Sequence, residues 1–213
     1  MSEKVTPDYE THKEELRHRT KYPEKPLNKR LQAIVSAIPA QSKVLDVACG
    51  TGRVLHAAID KGCRGRGIEI TPGGALAAQQ KGLDVLEGDV DTFDENAEVH
   101  ELMFAEYDIA IFSKCLMYLK TKNQIIDQLN VDTIIVFQKC PSYWKFRLNN
   151  ERAKWLEYDK EKPYRLKGGE IIAIDSPKAV ARWGASYGYA YSKCLRGGFW
   201  HGSMIIKMSR IRF

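Results

Sequence analysis

The first apolar positions that fall on one face are Leu31, Ile34, Val35 and Ile38, and their spacing is helical. They predict a short helix from about Leu27 to Ile38, stopped by Pro39. Before them the chain is polar and mixes acids with bases, among them His12, Lys13, Arg17, His18, Arg19, Lys21, Lys25, Lys29 and Arg30. Residues 1–26 therefore read as a basic arm or lid, and residues 27–213 as the folded domain. After Pro39, short β-branched runs alternate with helical stretches. Lys43 to Val47, Gly67 to Ile70, Asp84 to Leu86, Tyr107 to Phe112 and Thr133 to Phe137 are the expected strands. Val54 to Lys61, Gly74 to Lys81 and Lys122 to Leu129 are the expected helices. This alternation makes βαβ units, hence a parallel sheet covered on both faces with right-handed connections.

The last third changes character. Residues 139–175 are rich in aromatic and charged side chains without a clean period, and read as an insertion with one helix around Tyr143 to Tyr158. Ser176-Pro177 has the form of an N-cap followed by Pro at the first helical position, and Gly188 suits the end of the helix it opens. Tyr189 to Leu195 and Ser203 to Ile211 read as two closing strands, antiparallel neighbours.

Length adds that one domain suffices for 213 residues. With 44% hydrophobic and 28% charged residues, the chain has the balance of a soluble globular protein. No apolar run reaches the roughly 20 residues of a membrane helix, and the polar N-terminus reads as neither signal peptide nor anchor. Cysteines at 49, 63, 115, 140 and 194 lack CxxC spacing, so no disulfide framework and no metal site is expected. They read as reduced thiols of a cytoplasmic protein. The net charge of +6 is compatible with an acidic or nucleic-acid partner, and equally with plain solubility.

The chemistry concentrates in Val44-Leu45-Asp46-Val47-Ala48-Cys49-Gly50-Thr51-Gly52-Arg53-Val54-Leu55, a strand, a glycine-rich turn and a helix. Gly50 and Gly52 bare the backbone, so a ligand can rest on Ala48, Cys49 and the two glycines. A dinucleotide pyrophosphate uses the same device, but with a third glycine three residues after the second. Leu55 holds that place, and its bulk is expected to disfavour close approach of the helix. Asp46, at the strand end, would face an anion badly and an ammonium well. S-adenosylmethionine (SAM) carries an ammonium and a sulfonium, so Asp46 argues for SAM over NAD.

The following strand ends supply the rest. Glu69, seventeen residues after Gly52, is placed to accept from ribose hydroxyls, and Ile70 to lie against an adenine face or in the core. In Glu87-Gly88-Asp89-Val90-Asp91, a carboxylate can accept from the adenine amino group while the backbone of Val90 serves a ring nitrogen. Asp89 is the first choice and Asp91 the second. The fourth strand runs out at Ser113 and Lys114, expected beside the transferred methyl group, with Leu116 and Leu119 in the core.

On these residues the chain resembles the class I SAM-dependent methyltransferases over roughly Lys43 to Phe137, nearest to the methionine-biosynthesis W (MetW-like) group. Gly67-Ile68-Glu69-Ile70-Thr71-Pro72, Lys81-Gly82-Leu83-Asp84-Val85 and the run from Glu87 to Asp91 carry the likeness with the glycine turn, and Cys140-Pro141-Ser142-Tyr143-Trp144-Lys145-Phe146-Arg147 echoes it. The resemblance implies an α/β Rossmann-like three-layer sandwich: a mostly parallel seven-stranded sheet with an antiparallel C-terminal strand. Members of the group also look like partners of acyltransferases, so the likeness permits an accessory role on a partner protein.

Methyl transfer from a sulfonium is an in-line displacement that mainly needs alignment and exclusion of water, and a base only where the nucleophile holds a proton. Ser113, Lys114, Tyr118 and His201 are the candidates near the acceptor, His201 being the plausible imidazole base. Tyr143, Trp144, Trp155, Tyr158 and Tyr164 can form a cover over the substrate or a cage for a cation, or simply pack on the sheet, and Trp200 can reach the pocket. A nucleic-acid amino methyltransferase would show Asn/Asp-Pro-Pro-aromatic after the fourth strand. That place reads Ser113-Lys114-Cys115-Leu116, so a small molecule is the expected acceptor. DNA or RNA is the alternative, resting on the basic arm with Arg147, Arg152 and Lys154.

Overall fold

The computed structural model describes residues 26–138, 177–196 and 204–211, with His18 and the strand pair Tyr164–Arg165 and Ile171–Ile172. In chain order the elements are α1 (Lys29–Ala37), β1 (Lys43–Val47), α2 (Arg53–Asp60), β2 (Arg64–Glu69), α3 (Pro72–Gln79) and β3 (Val85–Glu87). Then follow α4 (Ala97–Phe104), β4 (Ile109–Ser113), α5 (Lys122–Gln128), β5 (Thr133–Gln138), β6 (Tyr164–Arg165), β7 (Ile171–Ile172), α6 (Pro177–Ser186), β8 (Tyr189–Arg196) and β9 (Met204–Arg210). The main sheet has seven strands in the order β3-β2-β1-β4-β5-β9-β8. The first five are parallel neighbours, and β9 runs antiparallel between β5 and β8. The α/β sandwich and the antiparallel closing pair expected from the sequence are both present.

Strand side chains alternate between two cores. Leu45, Val47, Ala110, Phe112, Ile134 and Val136 meet Val99, Leu102 and Met103 of α4, Ile125 and Ile126 of α5 and Val180 of α6. Val44, Ile109, Ile111, Ile135 and Phe137 meet Leu31 and Ile34 of α1 and Val54 and Ala58 of α2. A third cluster joins Leu55 of α2 to Ala75 and Ala78 of α3, over Val85 of β3. The chain reverses direction along the sheet between β3 and β4, which puts the topological switch point, where open α/β sheets bind ligands, at the carboxyl ends of β1 and β4.

The helix ends are satisfied locally. Asn28 caps α1, its side chain accepting from the N–H of Arg30 and Leu31 at 2.9 and 3.1 Å. At the other end Lys61 donates to the carbonyls of Ile38 and Val35. At the closing pair, buried Tyr189 donates its hydroxyl to Val131 O at 3.0 Å, and Arg210 reaches Leu129 O at 2.7 Å. These bonds fasten β8 and β9 to the turn before β5.

The sequence pattern does not show the paired two-residue strands β6 and β7, and it misses two parts of the main α/β layers. Helix α4 is one, capped by Asn96 and buried through Val99, Leu102 and Met103; that spacing is helical, but acidic neighbours mask it. The other is the first half of β2, Arg64-Gly65-Arg66, where alternation gives glycine on one side and arginine on the other. A Cβ on Gly65 would lie 2.7 Å from both Leu55 Cδ1 and Val44 O. The bare strand therefore makes the room that lets α2 approach with Leu55 fully buried. Leu55 was expected to hinder that approach, and the correction is that a glycine on the strand replaces one on the helix. Gly65→Ala is expected to lower stability by about 2 kcal/mol, read as a lower denaturant midpoint at unchanged slope.

Candidate functional site

The turn after β1 is wound tightly by three residues in the left-handed region, Ala48 at φ 54°, Gly50 at φ 59° and Gly52 at φ 68°. Gly52 is the N-cap of α2, and the turn closes through Gly52 N–H donating to Cys49 O at 3.0 Å. From behind, Lys81 donates to Thr51 O at 2.9 Å, and a Cβ on Gly52 would meet Leu83 Cδ1 at 2.3 Å. The turn is seated against α3 and the segment that follows it.

Asp46 lies beneath this turn. It is 1% exposed, and its Oδ1 is buried with no hydrogen-bond partner among the described residues. Burial, then the charge of Glu69, pushes its carboxyl up to about 7, and the backbone N–H of Leu55 pulls the other way. Buried Glu69 closes the same space from β2. Its Oε2 accepts from Gly50 N–H at 2.7 Å, and its Oε1 from the N–H and hydroxyl of Thr71 at 2.9 and 2.5 Å. Gly74 of α3 allows this pairing, since a Cβ there would meet Thr71 Oγ1 at 2.5 Å and Glu69 Cγ at 3.0 Å. Thr71, Gly74 and Lys81 support the site, although the sequence marks Thr71 and Lys81 only as part of the resemblance and Gly74 only as part of a helix. Thr71-Pro72, a hydroxyl residue before Pro at the first helical position, was the readable signal.

Glu69→Ala is expected to cost about 2 kcal/mol of stability, because it strands the half-buried N–H of Gly50 and the buried N–H of Thr71. Urea melts of the variant beside Glu69→Gln, which keeps an acceptor, check this.

The other candidates ring the same edge. Ile70 is half-buried beside Glu69. Asp89 caps a short 3-10 turn, Val90–Thr92, its Oδ1 accepting from Asp91 N–H at 3.0 Å, and Val90 is buried. Asp91 instead turns toward the β4 side, accepting from Thr121 N–H and hydroxyl at 2.9 and 2.7 Å. Ser113 ends β4, half-buried, and Lys114 follows at φ 66°, its N–H bonded to Phe137 O and its Nζ 5.3 Å from the Phe137 ring centre. Tyr118 is half-buried in the next 3-10 turn. The turn residues, Asp46, Glu69, Asp89 and Ser113 thus share the carboxyl edge of four adjacent strands. His201, Trp200, Tyr143, Trp144, Trp155, Tyr158, Arg147, Arg152 and Lys154 lie outside the described residues, as do most of the arm and the expected helix in the insertion.

Cys49 and Cys115 flank Asp46 but are poor nucleophiles, since burial and the charges of Asp46 and Glu69 push both thiols well above the usual range. Among the described residues no group of side chains could hold a metal ion, and no helix is long and apolar enough to cross a membrane.

The family model described as methionine biosynthesis protein MetW matches residues 28–165. The chain belongs to the MetW family. The match opens at the Asn28 cap and takes in every residue of the edge described above, while α6, β8 and β9 lie beyond it. No curated protein matches the chain.

Among solved structures, the MetW-family chain is similar to the magnesium protoporphyrin IX methyltransferase of Synechocystis PCC 6803 with bound S-adenosylhomocysteine (SAH). The TM-score is 0.63 at 14% identity, covering 99% of this chain and 100% of that one. It is also similar to a SAM-dependent methyltransferase from Methanosarcina mazei, with TM-score 0.60, 17% identity and coverage of 88% and 99%. A third is the 1,6-didemethyltoxoflavin-N1-methyltransferase of Burkholderia thailandensis with bound 1,6-didemethyltoxoflavin and SAH, at TM-score 0.60, 14% identity and coverage of 86% and 78%. At these identities the likeness is one of fold, and the fold is that of the class I methyltransferases.

Proposed function

We propose that this protein binds SAM at the turn after β1 and transfers its methyl group to a small-molecule acceptor. The observation that carries the reading is the charge arrangement under the turn. Asp46 is buried with an orphaned oxygen, Glu69 stands beside it, and no cation is paired with either among the described residues. Such a site favours a cationic ligand, because two carboxylates in a low-dielectric setting repel each other until a positive charge arrives. It also disfavours a pyrophosphate. The N–H of Gly50, which an anion would need, is already held by Glu69. This discriminates better than Leu55, whose bulk Gly65 accommodates.

In this reading Ala48, Cys49, Gly50 and Gly52 offer bare backbone to the ligand, and Asp46 supplies the field under its ammonium. Glu69 has an oxygen with one hydrogen bond and can accept another from a ribose hydroxyl. Asp89 accepts from the adenine amino group, the Val90 N–H serves the ring and Ile70 covers one face. SAM supplies a methyl group on a sulfonium, already activated for displacement. The protein aligns the acceptor at the end of β4, where Ser113, Lys114 and Tyr118 line the approach and water is kept out. Small-molecule methylation also fits two structures of similar fold, whose names specify magnesium protoporphyrin IX and 1,6-didemethyltoxoflavin.

The test is to incubate the protein with methyl-labelled SAM and, separately, a metabolite fraction, RNA, DNA and a protein extract. Label is expected in the metabolite fraction. Label confined to nucleic acid or protein, or in no fraction, would contradict the proposal.

A further inference from the structure

The hydrogen bonds at the carboxyl edge form a continuous line between two loops that the sheet itself does not join. It starts at Asp89, whose Oδ1 accepts from Asp91 N–H at 3.0 Å. Thr92 adds its hydroxyl to Asp89 O at 2.8 Å, fixing the turn. The line continues through the Asp91 side chain. Its Oδ1 accepts from Thr121 N–H at 2.9 Å and Thr121 hydroxyl at 2.7 Å, and its Oδ2 from Lys120 N–H at 3.3 Å. Thirty residues of chain separate the partners. Asp91 thereby holds the entry to α5 from another loop, bonded to the N-cap residue Thr121 and to Lys120 before it, while Thr121 makes no side-chain cap bond of its own.

The segment so gripped is the one that leaves β4. At its start Lys114 is wound to φ 66° and held by Phe137. At its end it is held by Asp91. Between the two anchors lie Cys115 and Leu116, both buried, and half-buried Tyr118. Any displacement of the Asp89–Asp91 turn must therefore be felt at Thr121, and through it along residues 114–121.

We propose that Asp91 is a positioning residue that couples the two halves of the site. Setting the turn after β3 on the adenine end of the ligand orders the acceptor-side loop at residues 114–121, so the acceptor subsite is completed only once the adenosyl ligand is seated. The inference rests on the reading given under Proposed function. Asp91 touches neither ligand in this scheme; it acts through Thr121 and Lys120. Its loss leaves the adenosyl ligand bound and uncouples the loop.

Amide hydrogen exchange with and without SAH tests this on the whole protein, in the wild type, Asp91→Ala and Thr121→Val. In the wild type SAH is expected to slow exchange both at residues 46–52 and, about tenfold, at residues 114–121. In Asp91→Ala the slowing at 46–52 and the SAH affinity persist, within about threefold, while the slowing at 114–121 falls below about twofold. A merely structural role for Asp91 would instead weaken protection everywhere, with SAH adding its usual increment to the loop. Thr121→Val removes only the 2.7 Å bond, keeps the fold if Asp91→Ala does not, and is expected to lower the loop's increment to about threefold. An unchanged loop increment in the variant that folds overturns the proposal. Failure of the wild type to bind SAH is a different result, which overturns the adenosyl reading and this inference with it.

Discussion

Asp46→Asn is expected to make the ligand-free protein more stable and the SAM complex weaker. The Asp46 carboxyl titrates near 3.8 in an unfolded chain and at about 7 in the fold, because burial and then Glu69 disfavour its charge. Between those pH values the folded protein holds a proton that the unfolded chain has released. Stability therefore falls as pH rises from about 4 to about 7 and levels off above, a loss of up to roughly 4 kcal/mol. The amide has no such penalty, so the variant should gain most at pH 8, as a higher Tm, and little at pH 4. Binding has the opposite sign. A cationic ligand favours ionised Asp46, so wild-type affinity should climb with pH to about 7, with a proton released on binding below that point. In the variant the slope and the proton release disappear, and affinity at pH 8 drops about ten- to hundredfold. Calorimetry in two buffers of different ionisation enthalpy counts the proton. A variant that binds as tightly as the wild type would show that Asp46 serves only the fold, and one less stable at pH 8 would contradict the penalty on its buried charge.

Gly52→Ala should lose both stability and ligand. At φ 68° a side chain costs about 1–2 kcal/mol, and the added Cβ would sit 2.3 Å from Leu83 Cδ1 and 3.1 Å from Ala78 Cβ. Leu83 can rotate away; Ala78, on α3, cannot. The turn must shift, so a destabilisation of about 2–3 kcal/mol and an affinity loss of about a hundredfold are expected. Gly82→Ala provides the comparison, with φ 79° but nothing within 4 Å of the added atom. It should cost about 1 kcal/mol and leave SAH binding as it was. Equal binding losses in the two variants would mean that the contact at Gly52 is not what seats the turn.

The parts of this fold that hydrophobic pattern and turn chemistry encode were legible in the sequence. β1, α1, α6 and the closing pair are examples, since each combines an apolar run with a stop or cap that has a local cause. What escaped was written in relations between distant residues. Arg64-Gly65-Arg66 carries no apolar side chain, and its place in the sheet comes from pairing with β1, the Arg66–Asp84 ion pair and the room its glycine leaves for Leu55. The site shows the same division. The glycine turn, Asp46, Glu69 and Asp89 stand at strand ends that a βαβ pattern places together. The depth of Asp46 was not readable, because it depends on how α2 and the turn close above it. Nor was the different orientation of Asp89 and Asp91, which the sequence leaves as one acidic cluster and the structure divides between a cap and a strap.

The most direct test of the central claim is a calorimetric titration of the purified protein with SAH, SAM and NAD at pH 8. Micromolar binding of SAM and SAH, with none of NAD, is the result predicted by buried carboxylates under a turn whose Gly50 N–H is already held by Glu69. No binding of either adenosyl ligand, or tighter binding of NAD, would contradict it.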